Sequence, residues 1–208
     1  MRNVFLCFML LATTVLNLQA QTPAGWKLRI DRSTSASDPD GAGSVKFTTA
    51  GSGFHAVNPQ AATYWNPANR AMGTYALKAN FTLLEPSNHT NYYGLVFGGS
   101  GLEGSSERYV YFMVAQDGTW LLKSRTGENT PTIARGASAA IKKPDATGKS
   151  TNNVEVRVAA DKVDFLVNGT TVHSAPKSGA LATTDGTYGL RVNHALNVQI
   201  DQVTLAKL

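Results

Sequence analysis

Cysteine is nearly missing from this chain of 208 residues: the single one, Cys7, lies within the first twenty positions. Beyond residue 20 the chain can form no internal disulfide and no thiolate metal site, so its fold must rest on a buried apolar core. Charged residues are also few, at 16% of the chain, and they are scattered, with Lys142-Lys143 the longest basic run. A nucleic-acid partner needs a concentrated basic patch or stripe, so the formal charge of +5 reads as a solvated surface and no nucleic-acid partner is expected. No segment after residue 20 has the roughly 18 apolar residues of a spanning helix. Nor does any segment there show a capped apolar period of 3.6 residues; the nearest approach, "ARGASAAIKK", is too short and polar.

The first twenty residues stand apart. Arg2 precedes an apolar stretch over residues 4–16, and Leu18-Gln19-Ala20 places a small residue at a cleavage position. This is the layout of a secretory signal peptide, with a core too short to cross a bilayer. Cys7 lies inside that core after Phe5-Leu6, not at the cleavage point after a small residue, so no lipid anchor is expected. The expectation is a secreted or periplasmic protein with no membrane insertion, in which residues 21–208 form one domain. Nothing in the sequence fixes an oligomeric state.

What the rest of the chain does have is alternation. Tyr75, Leu77, Ala79, Phe81 and Leu83 alternate with more polar neighbours, as do Val154, Val156 and Val158. Period two marks strands with one face in a core and one towards solvent. Asp117-Gly118 and Asn168-Gly169 separate such runs and predict tight hairpins, with both central residues at positive φ. Residues 159–162 predict a third turn, whereas residues 38–44 and 124–150 read as long polar loops. About a dozen strands at this spacing imply an all-β, two-sheet antiparallel sandwich of jelly-roll type.

One motif points elsewhere. Residues 99–104, Gly-Ser-Gly-Leu-Glu-Gly, spell the dinucleotide fingerprint G-x-G-x-x-G. That fingerprint works only where the glycines open a helix whose N-terminus receives a pyrophosphate. Here they lead into Arg108-Tyr-Val-Tyr-Phe-Met-Val-Ala115, which reads as a strand. The glycines are read as a connection between two strands. No nucleotide is expected.

The stretches "NVEVRVAADKVDFLVNGTTVHS" and "DGTYGLRVNHALNVQIDQVTLAKL", with "NYYGLVFGG" before them, carry a resemblance. Their order of strand, Asn-Gly turn, G-x-x-G-L strand and terminal Asp-bearing strand is similar to the concanavalin A-like lectin/glucanase jelly rolls. Within these it resembles most the laminin-G-like and 3-keto-disaccharide-hydrolase-like (DUF1080) branches. The resemblance implies a concave sheet that takes a glycan or oligosaccharide, and in some members a structural calcium ion. It does not carry catalysis across. The glucanases' E-x-D-x-E strand is absent. Gly98 and Gly99 stand where the hydrolase-like branch would place an arginine after the strand that Asn91 precedes. Whether the chain is an enzyme stays open, with binding favoured over hydrolysis and over a structural or adhesion role.

Strand parity then sorts the candidates. If Tyr93, Leu95 and Phe97 face the core, Tyr92 faces out; in the same way Lys123 and Arg125 oppose Trp120 and Leu122, and Arg191 and Asn193 oppose Leu190 and Val192. The expected ligand-binding set is Trp65, Tyr92, Lys123, Arg125, Arg191 and Asn193. Trp65 is placed at the rim as a ring on which a sugar stacks, although for Trp65 and Tyr92 the pattern fits core filling equally well. No catalytic residue, metal ligand or cofactor is assigned. Glu103 and Glu107 read as solvated loop acids, and His55, His89, His173 and His194 as isolated residues. "SDPDGAGS" reads as a plain turn, lacking the later acid of a calcium loop.

Overall fold

Wherever the sequence alternates, the backbone is extended. A computed structural model describes residues 22–208; the expected signal peptide at residues 1–20 lies outside them. In chain order the strands are β1 (Lys27–Asp31), β2 (Lys46–Ala50), β3 (Gly53–Asn58), β4 (Ala61–Ala71) and β5 (Tyr75–Glu85). They continue with β6 (Tyr92–Ser100), β7 (Arg108–Ala115), β8 (Thr119–Thr126), β9 (Thr132–Ala137) and β10 (Ser150–Val158). The last four are β11 (Lys162–Val167), β12 (Thr170–Pro176), β13 (Gly186–Val192) and β14 (Leu196–Lys207). The only helix among the described residues is a short 3₁₀ turn at Gly179–Leu181, so none there is long and apolar enough to cross a membrane.

Two seven-stranded antiparallel sheets form a sandwich. The front sheet runs β1-β4-β13-β6-β7-β8-β9 and the back sheet β12-β11-β10-β5-β14-β3-β2. Consecutive strands often lie in different sheets, as with β5 and β6, and this gives the jelly-roll winding.

The core fills the space between the sheets, and parity decides who enters it. Tyr93, Leu95 and Phe97 of β6, Phe112 of β7 and Leu190 of β13 are fully buried from the front. Leu77 and Phe81 of β5, Val156 of β10 and Phe165 of β11 meet them from the back. The Phe165 ring lies 5.1 Å from Phe112 and 6.3 Å from Phe97, so one back-sheet side chain spans the interior. Each such aromatic contributes about 1.5–3 kcal/mol through burial.

The turns show where sequence chemistry acts alone. Asn168 and Gly169 take φ of 50° and 80°, the two positive values that the Asn-Gly turn requires. Ala159 N–H donates to Lys162 O at 2.9 Å, closing the β10–β11 turn. Asp117-Gly118 departs from expectation, for only Gly118 is at positive φ (89°). Asp117 instead uses its carboxylate to accept from Thr119 N–H at 3.0 Å, and Gly118 N–H bonds back to Ala115 O. Residues 124–150 are not one loop. They contain β9, an edge strand with weak β propensity that pairs with β8 and admits the Trp120 indole over Gly136, where a Cβ would come 2.7 Å from a ring carbon.

Phe165→Ala removes the ring that bridges the two sheets. It is expected to cost about 3–5 kcal/mol in urea unfolding, with the midpoint shifted and the slope unchanged.

Candidate functional site

The outward face of the front sheet is divided into an apolar end and a polar end. Parity directs Thr63 and Trp65 of β4, Val96 of β6, Tyr109, Tyr111 and Met113 of β7 and Arg191 of β13 away from the core. Trp65, Val96, Tyr109, Tyr111 and Met113 then form a second buried cluster, closed from above by Leu102, with Tyr92 and Leu121 partly buried against it. Leu102 comes from the glycine segment. That segment follows a bulge at Gly98 (φ 63°) inside β6 and turns at Gly101 (φ 60°). These positive φ values are what let the chain fold back over the sheet. The glycines therefore serve a lid of a single leucine.

The other end of the face is an open groove of about 550 Å³, lined by Arg29, Asp31, Tyr111, Lys123, Arg125, Arg191, Asn193 and His194 among others. Its floor is held by ion pairs. Asp31 accepts from Arg125 Nη1 at 3.0 Å, from Arg29 Nε at 3.3 Å and from Arg191 Nη1. Glu107, fully buried, takes Arg125 Nε at 2.6 Å and Arg29 Nη1 at 2.7 Å. Arg191 also donates to Thr63 Oγ1 at 2.9 Å and lies 5.6 Å from the centre of the Tyr111 ring. Gly94 stands opposite Arg191 in register and carries no side chain on this face, leaving the guanidinium free to cross β6 towards β7. Pairs of this kind, shielded from water, cost desolvation to form, but removing one partner leaves a costly uncompensated charge.

Lys123 differs from its neighbours. It lines the groove but makes no ion pair among the described residues. Burial, and then the nearby Arg191 charge, hold its ammonium below the ordinary lysine pKa. Burial also pushes the Tyr111 phenol up to about 12, against the pull of Arg191, so it stays protonated near neutral pH. The groove thus offers a free cation, a phenol, the Asn193 amide and a fixed arginine.

Of the six side chains singled out from sequence, Lys123, Arg125, Arg191 and Asn193 line this one groove. Tyr92 lies on the same face but outside the lining, with its hydroxyl 3.0 Å from Thr119 Oγ1. Trp65 is not a rim residue. Only 4% of it is exposed, it belongs to the cluster that Leu102 closes, and it does not line this groove. Glu107 is not a solvated acid, since the chain around it folds over the sheet and delivers its carboxylate to two arginines. Arg29 and Asp31 went unnoticed in the sequence. Their signal was there, because they alternate with Leu28 and Ile30, but nothing local indicated that five charged side chains would meet.

No protein-family model matches the sequence, and neither does any curated protein. Among solved structures the fold is similar to the carbohydrate-binding module CBM66 from Bacillus subtilis, at 11% identity and a TM-score of 0.62, over 88% of this chain and 96% of that one. It is also similar to the exoplasmic/lumenal domain of VIP36 in its Ca²⁺/Man3GlcNAc-bound form, at 7% identity and a TM-score of 0.58, over 88% and 84% of the two chains. The endo-β-1,3-glucanase of Pyrococcus furiosus matches at 10% identity and a TM-score of 0.51, over 70% of this chain and 66% of that one. The architecture is a two-sheet antiparallel jelly-roll sandwich.

Asp31→Ala strips the shared carboxylate from three guanidinium groups. It is expected to cost about 3 kcal/mol or more in chemical denaturation, because partly buried cations lose their partner. Glu103→Ala, which breaks an exposed pair with Lys27, serves as the contrast and is expected to cost less than about 1 kcal/mol.

Proposed function

We propose that the protein is an exported carbohydrate-binding domain whose ligand lies in the polar groove of the front sheet, with a preference for glycans that carry a carboxylate. The observation that carries this reading is Lys123, a cation without a partner among the described residues, set beside Arg191 and Asn193 on an open polar floor. Tyr111 supplies an aromatic edge, and the amide and guanidinium groups supply directional donors for hydroxyl and carboxylate oxygens. The likeness in fold to a carbohydrate-binding module and to a lectin domain supports the reading.

Binding is favoured over hydrolysis by the state of the carboxylates. A glycosidase needs two that are free to act on one glycosidic bond. Asp31 and Glu107 are both committed to arginines, Asp38 is set against two histidines at one end of the groove, and Glu128 is 89% exposed at the rim, where it contacts Arg29 at 3.5 Å. An adhesion role has less support. Among the described residues the large exposed apolar side chains are only Ile30, Met72 and Leu208.

Lys123→Ala is expected to weaken binding of a uronate-bearing oligosaccharide about tenfold, equivalent to about 1.4 kcal/mol, and to leave a neutral analogue nearly unaffected. Titration calorimetry on both ligands, after a glycan-array screen, measures this; equal affinity in the variant would remove Lys123 from the site. The pH dependence follows from the lowered pKa. Without ligand, the buried ammonium costs stability below that pKa, and the cost is relieved as pH rises through it. Affinity for the anionic ligand moves the other way and falls over the same alkaline range. Lys123→Arg is expected to flatten that limb, since a guanidinium does not titrate there.

A further inference from the structure

Three side chains from three separate loops converge at one end of the groove. Asp38 lies between β1 and β2, His89 between β5 and β6, and His194 between β13 and β14. Asp38 Oδ1 is 2.9 Å from His89 Nε2 and 3.0 Å from His194 Nε2, and the two Nε2 atoms are 3.1 Å apart. The three atoms form a nearly equilateral triangle. The sequence spacing of these residues, 38, 89 and 194, hides the cluster completely.

Hydrogen bonding accounts for only part of this arrangement: the Asn91 amide can donate to His89 Nε2 and His194 Nε2–H to Asp38 Oδ1, each at 3.0 Å, which leaves His89 Nε2 facing Asp38 Oδ1 at 2.9 Å. His89 Nδ1 lies 2.6 Å from Asn88 Oδ1, an oxygen that can only accept; with Nδ1 donating there, the Nε2 lone pair is left to face the cluster. That single in-plane lone pair faces three groups within 3.1 Å: Asp38 Oδ1, His194 Nε2 and, at 3.0 Å, the side-chain amide of Asn91. A trigonal nitrogen serves one such partner, not three. On the far side of the second ring, His194 Nδ1 faces Asp40 Oδ1 at 3.9 Å, and that oxygen is buried with no hydrogen-bond partner. The other Asp40 oxygen accepts from Ser33 N–H at 2.9 Å, which holds the carboxylate in place. Both rings therefore turn Nε2 to the centre, His89 with its Nδ1 bonded to Asn88 and His194 with its Nδ1 directed towards Asp40 at 3.9 Å, beyond hydrogen-bond reach. A proton would relieve one edge of the triangle, whereas a divalent cation relieves all three.

We propose that Asp38, His89 and His194 form a site for a divalent transition-metal ion of the zinc type. Two imidazoles and one carboxylate make the donor set of open zinc sites, in which a fourth position is left to water or a ligand oxygen. Calcium is the poorer fit, since it takes six to eight oxygens and two of these three donors are nitrogen. The three donor atoms are close enough together for one ion to be within bonding distance of all of them. Asn88 is the outer group that orients the His89 ring. Asp38 and His89, 47% and 40% exposed, leave a path from solvent, while His194 at 10% is the anchor. Asp38 and His194 also line the groove, so the ion fastens three loops at its rim. The site replaces the expectation of isolated histidines and a plain turn, and it stands independently of the carbohydrate reading.

The test uses the protein without a polyhistidine tag, stripped with chelator and titrated with Zn²⁺ and, separately, Ca²⁺. One equivalent of zinc is expected to bind by calorimetry, with the melting temperature raised about 5–10 °C when free zinc is a hundredfold above its Kd. Cobalt(II) is expected to give visible d–d bands that zinc displaces. His89→Ala, at an exposed loop position, is expected to keep the metal-free melting temperature and to weaken zinc binding at least 10–100-fold, the range lost with even an orienting residue. No stoichiometric binding to the wild type, equal zinc affinity in His89→Ala, or calcium binding as tight as zinc would each overturn the proposal.

Discussion

Two carboxylates, Asp31 and Glu107, govern the outer face of the front sheet. Between them they take up Arg29, Arg125 and Arg191. Three guanidinium groups, from β1, β8 and β13, gathered on one face would repel one another strongly in a place that water reaches poorly. With the carboxylates among them they become a rigid, almost neutral floor. Because Asp31 is on β1 and Glu107 directly precedes β7, the network joins the edge of the sheet to its middle. Lys123 and Asn193 are held against this floor, and the groove has its shape because the arginines cannot move.

The same face shows how a sandwich divides its labour. The inner face of each sheet is committed to the core by period-two burial, which leaves the outer face free to vary. At one end of the front sheet that freedom is used to bury aromatics under Leu102; at the other it leaves a polar hollow. The glycine segment makes the division. Its positive-φ glycines turn the chain back, placing Leu102 over Trp65 while the following residues deliver Glu107 to the arginines. A motif that looked like a phosphate cradle is the hinge of a small hydrophobic lid.

Much of the fold was legible because its signals are local. Alternation identified the core side of β5, β6, β10 and β13, and Asn168-Gly169 was recognised as a tight turn because its backbone demand is met by those two residues alone. Strand β9 escaped, since Thr-Ile-Ala-Arg-Gly-Ala has little β character of its own and is a strand only because β8 offers it an edge. Asp117 misled in the opposite sense: its side chain found a hydrogen bond at Thr119 that spared its backbone the left-handed conformation. At the groove, parity was enough to select Lys123, Arg125, Arg191 and Asn193. It was not enough for Trp65, because parity tells which face a side chain leaves by and not what later covers that face.

By itself, then, the sequence determined the class of fold, the alternation that separates core from surface, the turn at Asn168-Gly169 and the strand that rules out a nucleotide loop. These depend on neighbours one to four residues apart, where backbone geometry is nearly the whole of the energy. Only the tertiary structure decided that Glu107 is buried among arginines, that Trp65 lies under a leucine, that Lys123 is left without a counter-charge among the described residues, and that residues 38, 89 and 194 meet within 3.1 Å. Those outcomes depend on electrostatics and coverage between segments up to 156 positions apart. Charge acts through space, and no pattern along the chain records which distant side chains the fold will bring together.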